Sequence, residues 1–250
     1  ANAVEIVGAK PVFVDINLDD FCINTEKIEE VITKNTAAVM PVHEFGQPAK
    51  MDDIISLCEK HNLLLIEDAA CALGTSFKGK KAGTFGDFGC FSFHPRKAIT
   101  TGEGGLIVTD NNEFAKTARI LRNHGILMEN NKMNYVAAGL NYRMTEFQAQ
   151  LGINQLKNID YIASRRFKIF KTLYEKINKS QLIENVEIPQ NYFVSAYRVY
   201  IFAKNETIRN YILKKINDEG IECNQGSCPE IYNEKIFKKF KVKKLKNAHD

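Results

Sequence analysis

Short, nearly continuous apolar runs alternate with helically spaced stretches along the first half of the chain. The runs Pro11–Asp15, Ala37–Val42, Leu63–Glu67, Phe88–Phe93 and Leu106–Thr109 read as strands. Between them Thr25–Thr33, capped by Asn24 or Thr25, and Met51–His61 read as helices. Strands that are apolar on both faces and separated by helices indicate an α/β fold with a mainly parallel, covered sheet. Ala1–Val7 reads as the end of a helix stopped by Gly8.

The pattern then changes. Glu113–Arg122 is helical, and Thr145–Ile177 is a long helical region with Thr145 as its N-cap. A strand over Ala196–Phe202, an amphipathic helix over Glu206–Glu219 and a turn at Gly220 complete a smaller α+β unit. The expected division is a large domain over residues 1–157 and a small one over 158–250, each incomplete. The chain starts without Met and stops without a terminating signal, so it reads as an internal piece of a longer protein.

Composition narrows the class of function. The 250 residues carry a net charge of +4, 44% hydrophobic and 26% charged residues, ordinary values for a folded domain. No apolar run reaches the roughly 18 residues of a membrane helix, and no signal peptide opens the chain, so a cytoplasmic protein is expected. The six cysteines form no CxxC pair and no cluster with histidine, which points to reduced, packed thiols (Cys228 among them) and no metal. Lysines crowd the stretch from Lys235 to Lys246, but Ile236, Phe237, Phe240, Val242 and Leu245 interleave with them. That spacing describes a solvated face over a buried one, not a nucleic-acid or membrane surface.

Chemistry concentrates between Leu65 and Leu106. Asp68 ends a buried strand, the place where open α/β sheets hold their ligands. Ser92, His94 and Lys97 follow the next strand, and Gly102, Gly104 and Gly105 bracket Glu103. A lysine near a strand-end aspartate is by itself more often a structural ion pair than a catalytic one.

The longer motifs go further. SFHPRKAITTGEGG (from Ser92) resembles the lysine motif of the DegT/DnrJ/StrS sugar-nucleotide aminotransferases, and EDAACALG (from Glu67) resembles their EDAAQ or EDAAH segment. GAKPVFVDI, PVHEFGQPAKMD, RNHG and GLNYRMTEFQAQLGINQL are similar to further parts of that family, up to about Phe202. The resemblance implies a fold-type-I transferase that binds pyridoxal 5'-phosphate. It implies Lys97 as the lysine holding the cofactor as a Schiff base and moving protons, and Asp68 as the partner of the ring nitrogen. It also implies Ser92 at the phosphate, with Asn141 offered to the phosphate of a partner subunit across a homodimer.

Cys71 stands where the family usually has Gln or His beside the cofactor, and a thiol is a weaker hydrogen-bond partner there. Glu103 and its glycines are expected to shape the loop behind the lysine, Gly102 and Gly105 through backbone angles closed to other residues. His43, His94 and His124 are expected to pack or hydrogen-bond. The GSCPEIYNEK segment (Gly226–Lys235) departs from the family's more common sequence.

The implied reaction moves an amino group from an amino acid, glutamate by expectation, to a nucleotide-linked keto sugar, in amino-sugar or surface-polysaccharide biosynthesis. Related sugar 3-dehydratases carry histidine in place of the lysine, so Lys97 argues against them. A noncatalytic binding protein on the same fold is the remaining alternative. The family's Gly-Thr phosphate loop would lie upstream of Ala1, which would leave this stretch alone short of the whole pocket.

Overall fold

The computed structural model describes residues 1–184, 191–226, 230–240, 242 and 244–249. The reading of Cys228 as packed, and Lys241 and Lys243 of the lysine-rich stretch, lie outside them. In chain order the helices and strands begin with α1 (Asn2–Ile6), α2 (Thr25–Ile28), β1 (Ala38–Val39), α3 (Met51–His61) and β2 (Leu64–Asp68). There follow β3 (Ser76–Phe77), β4 (Lys80–Lys81), β5 (Phe88–Ser92), β6 (Gly105–Val108), α4 (Asn112–Leu121), β7 (Ile126–Glu129) and β8 (Lys132–Tyr135). The rest are α5 (Glu146–Leu156), α6 (Ile159–Ile177), β9 (Ile183–Glu184), β10 (Tyr192–Phe193), β11 (Phe202–Ala203), α7 (Glu206–Asp218) and α8 (Lys246–His249).

The chain divides into two compact units. One comprises Ala37–Ile169 and Gln190–Arg198; the other comprises Ala1–Thr36, Phe170–Pro189 and Val199–Asp250. The first unit contains a four-stranded sheet in the order β1-β2-β5-β6. β1 with β2 and β2 with β5 run parallel, and β6 returns antiparallel to β5. The expected mainly parallel α/β sheet is therefore present. Helix α3 buries Met51, Ile54 and Cys58 and ends on Asn62 in the left-handed region, a position asparagine tolerates. On α4, Phe114 stacks on Phe88 of β5 with ring centroids 4.9 Å apart.

Several expectations change. Pro11–Asp15 is not a strand; an isolated bridge joins Ile16 to Ile23 instead. It packs instead against the far end of the chain: the Asp15 carboxylate accepts N–H bonds from Ile16, Asn247 and Ala248, and Phe13 packs edge-on to Phe237. Burial pushes the Asp15 carboxyl up, but those backbone donors outweigh it and hold it below the usual range. Ala37–Val42 pairs as a ladder over two residues only, because Pro41 has no N–H to give. The Thr25–Thr33 helix is one turn capped by Asn24 and continued as a 3-10 turn, Glu29–Val31.

The long helix over 145–177 is two helices, α5 and α6. Thr145 caps the first with a complete capping box to Gln148. Ala196–Phe202 is irregular up to β11. Ala196 sits at φ +47°, Tyr197 N–H donates to the Phe45 carbonyl and Tyr200 exchanges hydrogen bonds with the Tyr174 hydroxyl. Burial pushes that hydroxyl's pKa up to about 12, so it remains a neutral donor.

One glycine packs directly under an aromatic ring of β5. Gly83 has φ +85°, and a Cβ there would come 2.3 Å from the Phe91 ring. Gly83→Ala in the full-length protein is expected to lose about 1–3 kcal/mol, read as a lower denaturant midpoint at unchanged slope. An unchanged midpoint would show that Phe91 can move aside.

Candidate active site

β2 and β5 are parallel neighbours in register, with Asp68 opposite Cys90, so their carboxyl ends lie side by side. Asp68 ends β2 and Ser92 ends β5. The main chain of Asp68 is fixed on its other side as well: its N–H donates to the Pro41 carbonyl (2.9 Å) and its carbonyl accepts from His43 N–H (3.0 Å). One carboxylate oxygen accepts the Ala70 N–H at 3.1 Å. Both groups are half-buried, open enough to meet a ligand and shielded enough for charge to matter.

Lys97 follows in a turn closed by its N–H on the His94 carbonyl (2.9 Å). The loop from Phe93 to Gly105 is braced from α5, where Gln155 bonds Thr100 at both its carbonyl (2.6 Å) and its N–H (3.0 Å). Gln148 donates to the Glu103 carbonyl at 3.0 Å. The expected loop-shaping role of this stretch is visible in those bonds. Gly102 has φ +81°, whereas Gly105 is needed for a different reason than expected: a Cβ there would lie 2.9 Å from the Phe91 carbonyl oxygen.

The Lys97 amine donates to the Cys71 thiol at 3.0 Å and lies 4.3 Å from the centre of the Tyr197 ring. Burial raises the Cys71 pKa against the pull of Lys97, so the thiol stays protonated and neutral near pH 7. The Lys97 amine is thus half-buried between a neutral thiol and an aromatic face. Ser92 Oγ accepts the His94 N–H at 3.3 Å and keeps its proton to donate.

Of the sequence-derived residues, Asp68, Cys71, Ser92 and Lys97 fall on adjacent strand ends and their loops. Asn141 does not join them within one chain: it bridges Asn123, is exposed, and its side chain accepts the Arg143 N–H. His43 packs as expected, fully buried, with Nε2 2.9 Å from Glu67. His94 Nδ1 accepts the Arg96 N–H, and His124 occupies a left-handed turn.

Two residues the sequence did not single out emerge here. Tyr197 lies against the lysine, hidden in sequence because an irregular segment carries it. Glu44 opens the turn Glu44–Gly46 and is half-buried; burial raises its pKa, the Asp68 charge adds to that rise, and Lys97 opposes it. A glutamate two residues beyond an apolar strand run was the available signal for it. Among the described residues no group of His, Cys, Asp and Glu could hold a metal ion.

An amine, a carboxylate and a hydroxyl converging on the ends of a mostly parallel sheet fit the donor set of a fold-type-I pyridoxal-phosphate transferase. The chain belongs to the DegT/DnrJ/EryC1/StrS aminotransferase family, whose model matches residues 1–250. It is 37% identical over 225 residues to GDP-perosamine synthase from Caulobacter vibrioides, a match covering 89% of this chain and 60% of that protein. Helicobacter pylori PseC, an aminotransferase involved in the biosynthesis of pseudoaminic acid, superposes with a TM-score of 0.90 at 29% identity. That match covers all of this chain and 68% of PseC. Streptococcus pneumoniae Spr1654 in its PLP form superposes with a TM-score of 0.88 at 26% identity, over 99% of this chain and 69% of that one. The chain spans about half to three fifths (48% to 60%) of the length of the curated relatives it matches. Aminotransferases of this family are pyridoxal-phosphate-dependent.

Proposed function

We propose that this chain carries the lysine-bearing part of an aminotransferase that moves an amino group from an amino acid, with glutamate as the donor, to a nucleotide-linked keto sugar. The observation that supports it most is the Lys97 amine, held at a neutral thiol beside the strand ends bearing Asp68 and Ser92. Bound pyridoxal phosphate supplies an electron sink for the carbanion formed at the donor's α-carbon. In this reading Lys97 would hold the cofactor through its amine and, once released from it, would take the proton from the donor's α-carbon. Asp68 places a negative charge against the ring nitrogen and favours its protonated form. The Ser92 hydroxyl donates to the phosphate, Cys71 lies at the ring hydroxyl, and Asn141 reaches the phosphate of a partner subunit.

The same reading makes the protein a cytoplasmic homodimer in amino-sugar or polysaccharide biosynthesis, with no nucleic-acid or membrane partner. No helix among the described residues is long and apolar enough to cross a membrane. It also keeps a large cofactor domain through residue 157 and a small domain from residue 158. The dehydratase alternative is disfavoured by Lys97 itself.

A panel of nucleotide-linked 3-keto and 4-keto sugars, assayed with glutamate and the full-length protein, tests the reading. Glutamate-dependent amination of at least one of them is the expected outcome. Dehydration without nitrogen transfer, or no turnover across the panel, would count against it.

A further inference from the structure

We propose that Glu44 is a specificity-determining residue of the Lys97 site, its carboxyl hydrogen-bonding a hydroxyl of the sugar acceptor. The proposal rests on the aminotransferase reading and adds to it a named contact with the acceptor.

The backbone puts Glu44 in place. Residues 41–43 run alongside the end of β2 through the Val42–Asp68 bridge and the paired bonds to Asp68. The turn Glu44–Gly46 then crosses that strand end. On one side Gly46 lies so close to the Cys71 carbonyl that an added Cβ would sit 2.9 Å from its oxygen. On the other side the Phe45 carbonyl accepts the Tyr197 N–H at 3.0 Å. Cys71 and Tyr197 both touch the Lys97 amine. The turn is therefore clamped between the walls of the lysine site.

The electrostatics agree with that placement. The charges of Asp68 and Lys97 both act on the Glu44 carboxyl, and Glu44 in turn acts on the Cys71 thiol. The carboxyl accepts its own neighbour's N–H, from Phe45. It takes no part in the adjacent buried network, where His43 is committed to Glu67 and to the Ala49 N–H. A carboxyl has more lone-pair capacity than one backbone donor fills, and part-buried polar groups gain by finding partners.

The chemistry of the two substrates selects the occupant. A dicarboxylic donor and the diphosphate of a nucleotide are both anionic and gain nothing from a carboxylate. A sugar hydroxyl can donate to it when ionised and accept from it when protonated. The discrimination such a contact gives is large, because an acceptor without the hydroxyl leaves the carboxyl unpaired.

The test uses full-length enzyme and a nucleotide-linked 4-keto sugar that the wild type aminates, with each half-reaction followed separately by cofactor absorbance. Glu44→Ala is expected to lower kcat/KM for the sugar about ten- to a hundredfold, mainly through KM. The glutamate half-reaction should slow by a clearly smaller factor than the sugar half-reaction, and Glu44→Gln should recover most of the sugar loss. In the wild type, an acceptor deoxygenated at the contacted position should lose a similar factor, and this arm needs no variant to fold. Equal slowing of both half-reactions in Glu44→Ala and Glu44→Gln would mark a counter-ion of Lys97 and overturn the proposal. So would unchanged sugar kinetics in both variants. A wild type that aminates no keto sugar would overturn the aminotransferase reading beneath it, a result distinct from either.

Discussion

Replacing Glu67 with alanine is expected to cost the full-length protein about 3–5 kcal/mol, enough to threaten folding of a marginally stable domain. The side chain is fully buried. Its two oxygens accept from His43 Nε2 (2.9 Å) and from the N–H groups of Gly83 (2.7 Å), Phe85 (2.6 Å) and Gly86 (2.8 Å). Because His43 Nδ1 accepts the Ala49 N–H at 3.1 Å, the proton of the neutral ring is on Nε2 and points at Glu67. Alanine would leave these donors buried without an acceptor, which costs more than the bonds contributed. Glu67→Gln should be less severe, since one oxygen remains, but its NH2 group would face N–H donors. Urea midpoints of the wild type and both variants measure the order; a loss under about 1 kcal/mol for Glu67→Ala would mean the loop 83–86 rehydrates freely.

The same network predicts an acid response with a definite sign. Burial pushes the Glu67 carboxyl up, but His43 and the backbone donors outweigh it and hold its pKa below the ordinary 4.5. A carboxyl depressed on folding contributes stability that is complete above its unfolded value. The contribution is lost as pH falls from about 4.5 through the lower folded value. The wild type should therefore lose stability below pH about 4.5 more steeply than Glu67→Gln does. The consequence for the site is positional: Glu67 and Asp68 are consecutive on β2 and point to opposite faces. One anchors the strand end to the 83–86 loop while the other is left free to meet a ligand.

Much of this was readable in the residues. Leu64–Asp68 and Phe88–Ser92 are strands because apolar, β-rich runs end in polar groups, and Thr145 caps α5 through a bonded pair visible as Thr-x-x-Gln. Pro11–Asp15 and Ala196–Phe202 have strand composition, but Asp15 is taken by the N–H groups of Asn24, Asn247 and Ala248, and the main chain of Tyr197 and Tyr200 by the Phe45 carbonyl and the Tyr174 hydroxyl, which no local pattern announces. The β7–β8 hairpin did carry a signal. Asn130 and Asn131 are its two turn residues, both left-handed, between short apolar-containing runs. Lys97, Asp68 and Ser92 stood out by motif, whereas Glu44 and Tyr197 enter the site through irregular turns, where spacing carries no information about direction.

Lys97 is the centre of the proposed chemistry. If its amine binds the cofactor, Lys97→Ala removes the covalent link and the proton carrier together, and transamination should fall at least about a thousandfold. The fold should persist, because the half-buried amine is held by a single hydrogen bond to a thiol and an aromatic face and by no buried ion pair among the described residues. The decisive measurement is the absorbance spectrum of full-length Lys97→Ala after loading with pyridoxal phosphate and borohydride reduction, beside the wild type. The account predicts a cofactor stably attached to the wild-type peptide containing Lys97 and none attached to the variant. Equal covalent attachment in both, or undiminished amino transfer by the variant, would contradict it.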